Sequence, residues 1–212
     1  MKISKYNYRN IYFSLVLAIL LNVLSSCTQN NNLINVSYVI PDINLDIRYA
    51  TTNNFTGKKV YDTALCFLRK EVAEHLKKVQ DELKTEGLSL KIFDGYRPLS
   101  VQKKFWELVP DERFVANPSK GSRHNRGAAV DVTLIDNFNK ELEMPTEFDD
   151  FTEKAGRDYN DLNENQIINR KHLEDIMRKH GFIGLPTEWW HFDYKDWEKY
   201  DVLDINYRDI NK

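Results

Sequence analysis

The chain has 212 residues, 42% of them hydrophobic and 12% aromatic, with a formal net charge of −2. This is enough apolar matter for one sizeable core, and it excludes an intrinsically disordered chain. Near neutrality, with no lysine/arginine block and no basic stripe interleaved with aromatics, gives no electrostatic basis for a nucleic-acid partner.

The N-terminus differs in kind from the rest. Lys2, Lys5 and Arg9 form a positive region, an uncharged apolar run follows from Ile11 to Leu24, and Leu24-Ser25-Ser26-Cys27 ends it. At about 14 residues the run is shorter than the roughly 20 that a membrane-spanning helix needs, so it is expected to be an export signal. Leu-Ser-Ser-Cys resembles the bacterial lipoprotein cleavage box, which implies removal of residues 1–26 and lipidation of Cys27. A secretory signal with a coincidental cysteine is the alternative. Residues 27–35 are then the lipidated cysteine and an Asn-rich polar tether, with a single domain over 36–212. Removing Lys2, Lys5 and Arg9 takes the basic residues from 30 to 27 against 32 acidic ones, a net charge of −5. Cys66 would be the sole remaining thiol, which excludes an intramolecular disulfide; among Ala64, Leu65, Phe67 and Leu68 it is expected to be a small buried hydrophobe.

Val72, Leu76, Val79 and Leu83 recur at helical spacing, predicting an amphipathic helix from about Leu68 to Thr85 with Gly87 as its stop. Leu88 to Phe93 alternates as a strand does, and Asp94-Gly95 turns it into Tyr96-Arg97-Pro98. A second helix is expected to start near Pro98, with Val101, Phe105 and Leu108 as its apolar stripe. Gly127 to Ile135 is short and rich in small and β-branched residues, a buried strand. Ile168, Leu173, Ile176 and Met177 mark a helix ending at His180-Gly181, and Trp189 to Tyr194 supplies the last strand. Helices and strands mix without regular βαβ alternation, so the expected fold is α+β: a single domain with a central, mainly antiparallel sheet flanked by helices and the site on the sheet.

The chemistry concentrates in Ser122-Arg123-His124-Asn125-Arg126-Gly127-Ala128-Ala129-Val130-Asp131 and in Glu188-Trp189-Trp190-His191. A catalytic zinc takes three protein ligands and leaves a fourth position open, and His124, Asp131 and His191 supply two nitrogens and an oxygen. His124 lies on the approach to a strand and Asp131 within it, so the intervening loop can fold both toward one metal. An ionised Asp131 in a buried strand would cost several kcal/mol without a partner or a metal. Glu188, three residues before His191, is placed to act as general base, and Arg97 to stabilise an oxyanion. His75, His172 and His180 are expected to be structural or surface residues, and Trp189 and Trp190 core and wall residues.

The two segments together resemble the signature of the zinc D-alanyl-D-alanine peptidases, Ser-x-His-x-x-Gly-x-Ala-x-Asp with a distant Glu-x-x-His, at every fixed position. Tyr49-Ala-Thr-Thr-Asn-Asn-Phe-Thr-Gly, Asp94-Gly-Tyr-Arg-Pro and Met144-Pro-Thr-Glu-Phe-Asp are similar to the VanX-type dipeptidase branch, so the likeness covers nearly all of the chain after the tether. The resemblance implies one zinc held by His124, Asp131 and His191, with Glu188 as base and Arg97 assisting the transition state. It also implies that Ser122 and Tyr49 help hold the substrate and that Asp149, or its neighbour Asp150, binds the substrate's ammonium group. The implied activity is hydrolysis of D-Ala-D-Ala to two D-alanines, with no protein partner. A D,D-carboxypeptidase or endopeptidase acting on peptidoglycan stem peptides is the rival on the same scaffold, and a non-catalytic zinc-containing binding module the rival of another class. Many members of this branch lack an export signal. The one read here leads to an expected lipid-anchored place in a bacterial cell envelope and a role in cell-wall turnover or scavenging.

Overall fold

The structure, a computed structural model, describes residues 32–210. The signal expected over residues 1–26, the lipidation site Cys27 and the tether as far as residue 31 lie outside the described residues. The last part of the expected tether belongs to the fold. Leu33–Asn35 form strand β1, pair antiparallel with β3 (Phe67–Arg69), and bury Leu33. The physical reason is local: after the run of asparagines come Leu33 and Ile34, which have apolar surface to bury.

The central sheet has five strands in the order β2 (Asn44–Leu45), β4 (Leu88–Asp94), β5 (Ala129–Asp136), β7 (His191–Tyr194) and β6 (Phe182–Gly184). Only the β2–β4 pairing is parallel, so the expected mainly antiparallel sheet is observed. Helix α1 (Lys70–Thr85) begins two residues later than its apolar pattern predicts, because Leu68 and Arg69 are paired in β3. Its buried face holds Val72, Ala73, Leu76, Val79 and Leu83, each large side chain contributing about 1.5–3 kcal/mol. Gln80 is buried with them. Its Oε1 accepts from the Leu90 N–H at 2.9 Å and its Nε2 donates to Ser89 Oγ at 3.2 Å, fastening α1 to β4.

Helix α2 (Leu99–Leu108) buries Val101 and Phe105, but the expected stripe residue Leu108 is 58% exposed, lying at the helix end beyond the core. Helix α3 (Glu164–Lys179) starts from a capping box between Asn163 and Gln166 and buries Leu173, Ile176 and Met177. Ile168, expected on the same stripe, is 55% exposed. Arg170 is buried in α3 instead, donating to the carbonyls of Gly156 and Tyr159 at 3.1 and 2.6 Å.

Strand alternation divides the sheet into two chemistries. Val130 lies opposite Phe192, and Val132 and Leu134 share its face. On that side Tyr194 meets the ring of His75 and bonds Glu71, both on α1. Asp131, His191 and Asp193 point the other way, into the site.

Candidate metal centre

Three strands set the site. Asp131 of β5 lies opposite Asp94 of β4 on one side and opposite His191 of β7 on the other, so their side chains stand abreast across the sheet. The alignment with Asp94 depends on an irregularity in β4. Ile92 pairs with Val132, and a regular strand would put Phe93 opposite Asp131; the register shifts between Ile92 and Asp94, which turns the Asp94 carboxylate onto the site face. His124 arrives from a 3-10 turn, His124–Arg126, that ends at Gly127 with φ +65. A Cβ at Gly127 would come 2.5 Å from Leu33 Cδ2 in addition to straining the left-handed backbone, so this turn needs glycine. Strand β5 accordingly starts at Ala129, two residues after the expected Gly127, and β7 starts at His191, with Trp189 and Trp190 buried in the turn before it.

His124, Asp131 and His191 are all buried, and one ligating atom from each lies within 4.8 Å of the others. Asp131 Oδ1 is 3.3 Å from His124 Nε2 and 3.0 Å from His191 Nδ1, and these two nitrogens are 3.1 Å apart. The outer hydrogen bonds decide what the inner atoms carry. His124 Nδ1 sits 2.7 Å from the Gly95 carbonyl oxygen, which can only accept, so that nitrogen holds the proton. His191 Nε2 is 2.9 Å from Asp193 Oδ1, which likewise demands a proton on Nε2. With their outer nitrogens protonated, the two rings can turn the lone pairs of their inner nitrogens, beside a carboxylate oxygen, toward one point once a cation displaces the proton that His191 Nδ1 shares with Asp131 Oδ1. That donor set fits a divalent metal of zinc type. In the protein alone, burial disfavours the His191 cation, but Asp193 and Asp131 outweigh it and raise its pKa to about 10. Burial would also raise the Asp131 pKa, and the two histidines instead hold it well below the usual carboxylate range.

Glu188 lies in the turn before β7, its Oε2 3.9 Å from His191 Nδ1. Burial pushes its carboxyl up to about 8, with the charges of Asp131 and Asp149 adding to the shift. Arg157 holds this turn: it donates to the carbonyls of Leu185, Trp189 and His191 at 2.9, 3.0 and 2.8 Å, and burial pulls its own pKa down to about 10. Arg97 is buried, donating to Asp94 Oδ2 through Nε at 3.1 Å and Nη2 at 2.7 Å and to Gln102 Oε1 at 2.9 Å. Its guanidinium lies over the rings of Phe105 and Tyr49. The other Asp94 oxygen accepts from Tyr61 OH and the Gly95 N–H. Two N–H groups of Arg97, one on each Nη, are left over from these bonds.

Tyr49 is 2% exposed and donates its hydroxyl to Asp149 Oδ1 at 2.9 Å. Asp149 takes a left-handed backbone, φ +64, and burial pushes its carboxyl up to about 7. Asp150 is spent elsewhere, accepting from the Thr152 N–H at 2.8 Å, so Asp149 is the carboxylate of this pair that faces the cavity. Ser122 Oγ accepts from the His124 N–H at 3.2 Å and keeps its own proton free to donate. The expected residues Tyr49, Arg97, Ser122, His124, Asp131, Asp149, Glu188 and His191 all line one cavity of about 110 Å³. This is well below the roughly 300–1,000 Å³ of common small-molecule sites. His75, His172 and His180 lie away from it: His75 and His180 bond the His180 carbonyl and Glu82, and His172 Nε2 lies 2.7 Å from a Glu86 carboxylate oxygen. Cys66 is buried with its Sγ against Gly95, as its apolar setting predicts.

Sequence reasoning missed Asp193, Asp94 as the partner of Arg97, Gln102 and Arg157. The alternation of β7, which puts residues 191 and 193 on one face, was a usable signal for Asp193. Replacing Asp193→Ala removes the acceptor that fixes the His191 tautomer, and metal affinity should fall about 10- to 100-fold with the fold intact. Competition with a fluorescent chelator measures it, and unchanged affinity would refute the role.

A buried nitrogen–nitrogen–oxygen donor set beside a glutamate held near neutrality, on the open face of an α+β sheet, defines a metal-dependent hydrolase. The chain belongs to the peptidase M15 family, described as D-Ala-D-Ala dipeptidase, whose profile matches residues 29–210. It is similar to the D-alanyl-D-alanine dipeptidase of Escherichia coli (strain K12), 34% identical over 176 residues that span 83% of this chain and 91% of the relative. It is also similar to the D-alanyl-D-alanine dipeptidase of Enterococcus faecium, 32% identical over 179 residues, 74% of this chain and 89% of that one. Among solved structures, that of the LdcB LD-carboxypeptidase covers 78% of this chain and 69% of its own at 24% identity, with a TM-score of 0.45.

Proposed function

We propose that this chain is a zinc dipeptidase that cleaves D-Ala-D-Ala to two D-alanines. The observation that carries the substrate reading is Asp149, a buried carboxylate facing the same small cavity as the histidine–aspartate triad and Glu188. A free ammonium group is the natural partner of such a carboxylate, and longer peptides lack one at that distance from the scissile bond.

His124, Asp131 and His191 would hold the zinc, which supplies a Lewis acid and brings the pKa of water toward about 7. Glu188 takes the proton of the attacking water and passes it to the leaving amine nitrogen. Next to a cation its carboxyl is drawn back toward the ionised form that a base requires. Arg97, held by Asp94 and Gln102, offers its two remaining N–H groups to the carbonyl oxygen as charge develops there. Tyr49 positions Asp149, and the surrounding rings of Phe55, Phe105 and Phe148 keep water from that end of the cavity.

Purified protein should hydrolyse D-Ala-D-Ala, leave N-acetyl-D-Ala-D-Ala intact, lose activity to a chelator and regain it with zinc. Equal cleavage of both substrates would overturn the dipeptide reading in favour of stem-peptide hydrolysis. The pH dependence has a defined sign. Because burial raises Asp149 to about 7, binding strengthens as pH rises through that value and the carboxylate ionises. It weakens again above about 8, where the substrate amine loses its proton. KM should therefore be lowest between these limits, and Asp149→Asn should abolish the acidic limb; a KM independent of pH would contradict this.

The residues 1–27 support a lipid-anchored place in the cell envelope, with a role in cell-wall turnover or scavenging of released dipeptide. Fractionation of native cells should find the protein in membranes without Met1, and soluble protein retaining Met1 would overturn this reading.

A further inference from the structure

Three arginines line the cavity: Arg97, Arg113 and Arg123. Arg97 is committed to Asp94 and Gln102, and Arg113 to both oxygens of Asp111. Arg123 differs. Its Nε lies 3.5 Å from Asp193 Oδ2, its Cζ lies over the Trp197 ring 4.6 Å from the centre, and its Nη1 and Nη2 make no hydrogen bond among the described residues. Its side chain is 40% exposed, so a ligand in the cavity can reach it. The contact with Trp197 holds the guanidinium over the ring while its two Nη groups stay uncommitted, and such a pair of donors is what arginine uses to receive a carboxylate through two parallel bonds.

Position adds to this. Asp149 is joined through Tyr49 to the Arg97 side of the triad, whereas Arg123 is joined through Asp193 to the outer nitrogen of His191. Asp149 and Arg123 are thus tied to different groups around the triad, Tyr49 with Arg97 and Asp193 with His191, and both line the cavity in which a dipeptide with its amide at the triad would place its two charged ends. Ser122, next in the chain to Arg123, faces the same cavity with a hydroxyl proton to give.

We infer that Arg123 is a specificity-determining residue that receives the free α-carboxylate of the substrate, opposite the ammonium end at Asp149. This rests on the dipeptidase reading above. The test compares D-Ala-D-Ala with its C-terminal amide, using wild-type protein, Arg123→Gln and Arg123→Lys with metal content measured for each. Wild type should favour the acid about 10- to 100-fold in kcat/KM, the range of a charge-assisted contact. Arg123→Gln should raise KM for the acid by a similar factor, leave the amide and the metal content unchanged, and so erase the preference; Arg123→Lys should keep part of it. An equal loss for acid and amide, or loss of metal, would overturn the inference and leave Arg123 a support for Asp193. Full discrimination retained in Arg123→Gln would overturn it too, while failure of wild type to cleave D-Ala-D-Ala would overturn the dipeptidase reading beneath it.

Discussion

Glu188→Gln should reduce kcat about 10²- to 10⁴-fold while metal content stays near one equivalent. Glutamine keeps the shape of the side chain in the turn clamped by Arg157 but cannot take a proton. Unchanged turnover would remove Glu188 from the reaction, and lost metal would make it part of the binding set. The variant has a second signature in the metal-free protein. A carboxyl raised to about 8 on folding stabilises the fold while protonated and loses that contribution as pH rises from its unfolded value, about 4.3, toward 8. Metal-free wild type should therefore lose stability over that window by on the order of a few kcal/mol, and Glu188→Gln should be flatter in urea titrations. This effect and the catalytic one are separable, because adding metal abolishes the first and reveals the second.

Arg97→Gln is expected to be costly twice. Asp94 is fully buried, with Arg97 as its countercharge, and removing one partner of a buried pair costs about 3–5 kcal/mol. The loss should deepen with rising pH as the stranded Asp94 is forced to ionise, since burial already raises its pKa. Loss of the oxyanion donor adds a fall in kcat of about 10²- to 10³-fold. The double variant Asp94→Asn with Arg97→Gln removes both charges, so much of the stability should return while activity stays low. Activity returning together with stability would show that Arg97 only supports the fold.

The sequence exposes those parts of the site whose chemistry repeats along one strand or turn. His124 and Asp131 lie seven residues apart around a glycine turn, Glu188 and His191 three apart before a strand, and both segments show their purpose before any contact is known. Asp94 was less legible, because the irregularity after Ile92 reverses the face that simple alternation assigns to it. Arg157 was not legible at all. It lies outside the helices and strands, and its role arises only when three carbonyls of a turn about 30 residues later converge on it. The helices were found from their apolar spacing, but Leu108 and Ile168 show its limit: periodicity marks a stripe without saying where the core ends. The beginning of the domain moved for the converse reason, since Leu33 and Ile34 are too few to give a pattern yet find a partner strand in Phe67–Arg69.

The side-by-side placement of Asp94, Asp131 and His191 has a bearing on how the chain reaches its fold. A slip of one residue between β4 and β5, or between β5 and β7, would carry an acidic or histidine side chain to the face covered by α1, among Val130, Val132 and Phe192. Among those apolar side chains a charge is costly, and the metal has no complete set of donors. The residues that perform the chemistry thus also proofread strand pairing: only the correctly assembled sheet can bind the ion, and binding rewards that assembly alone.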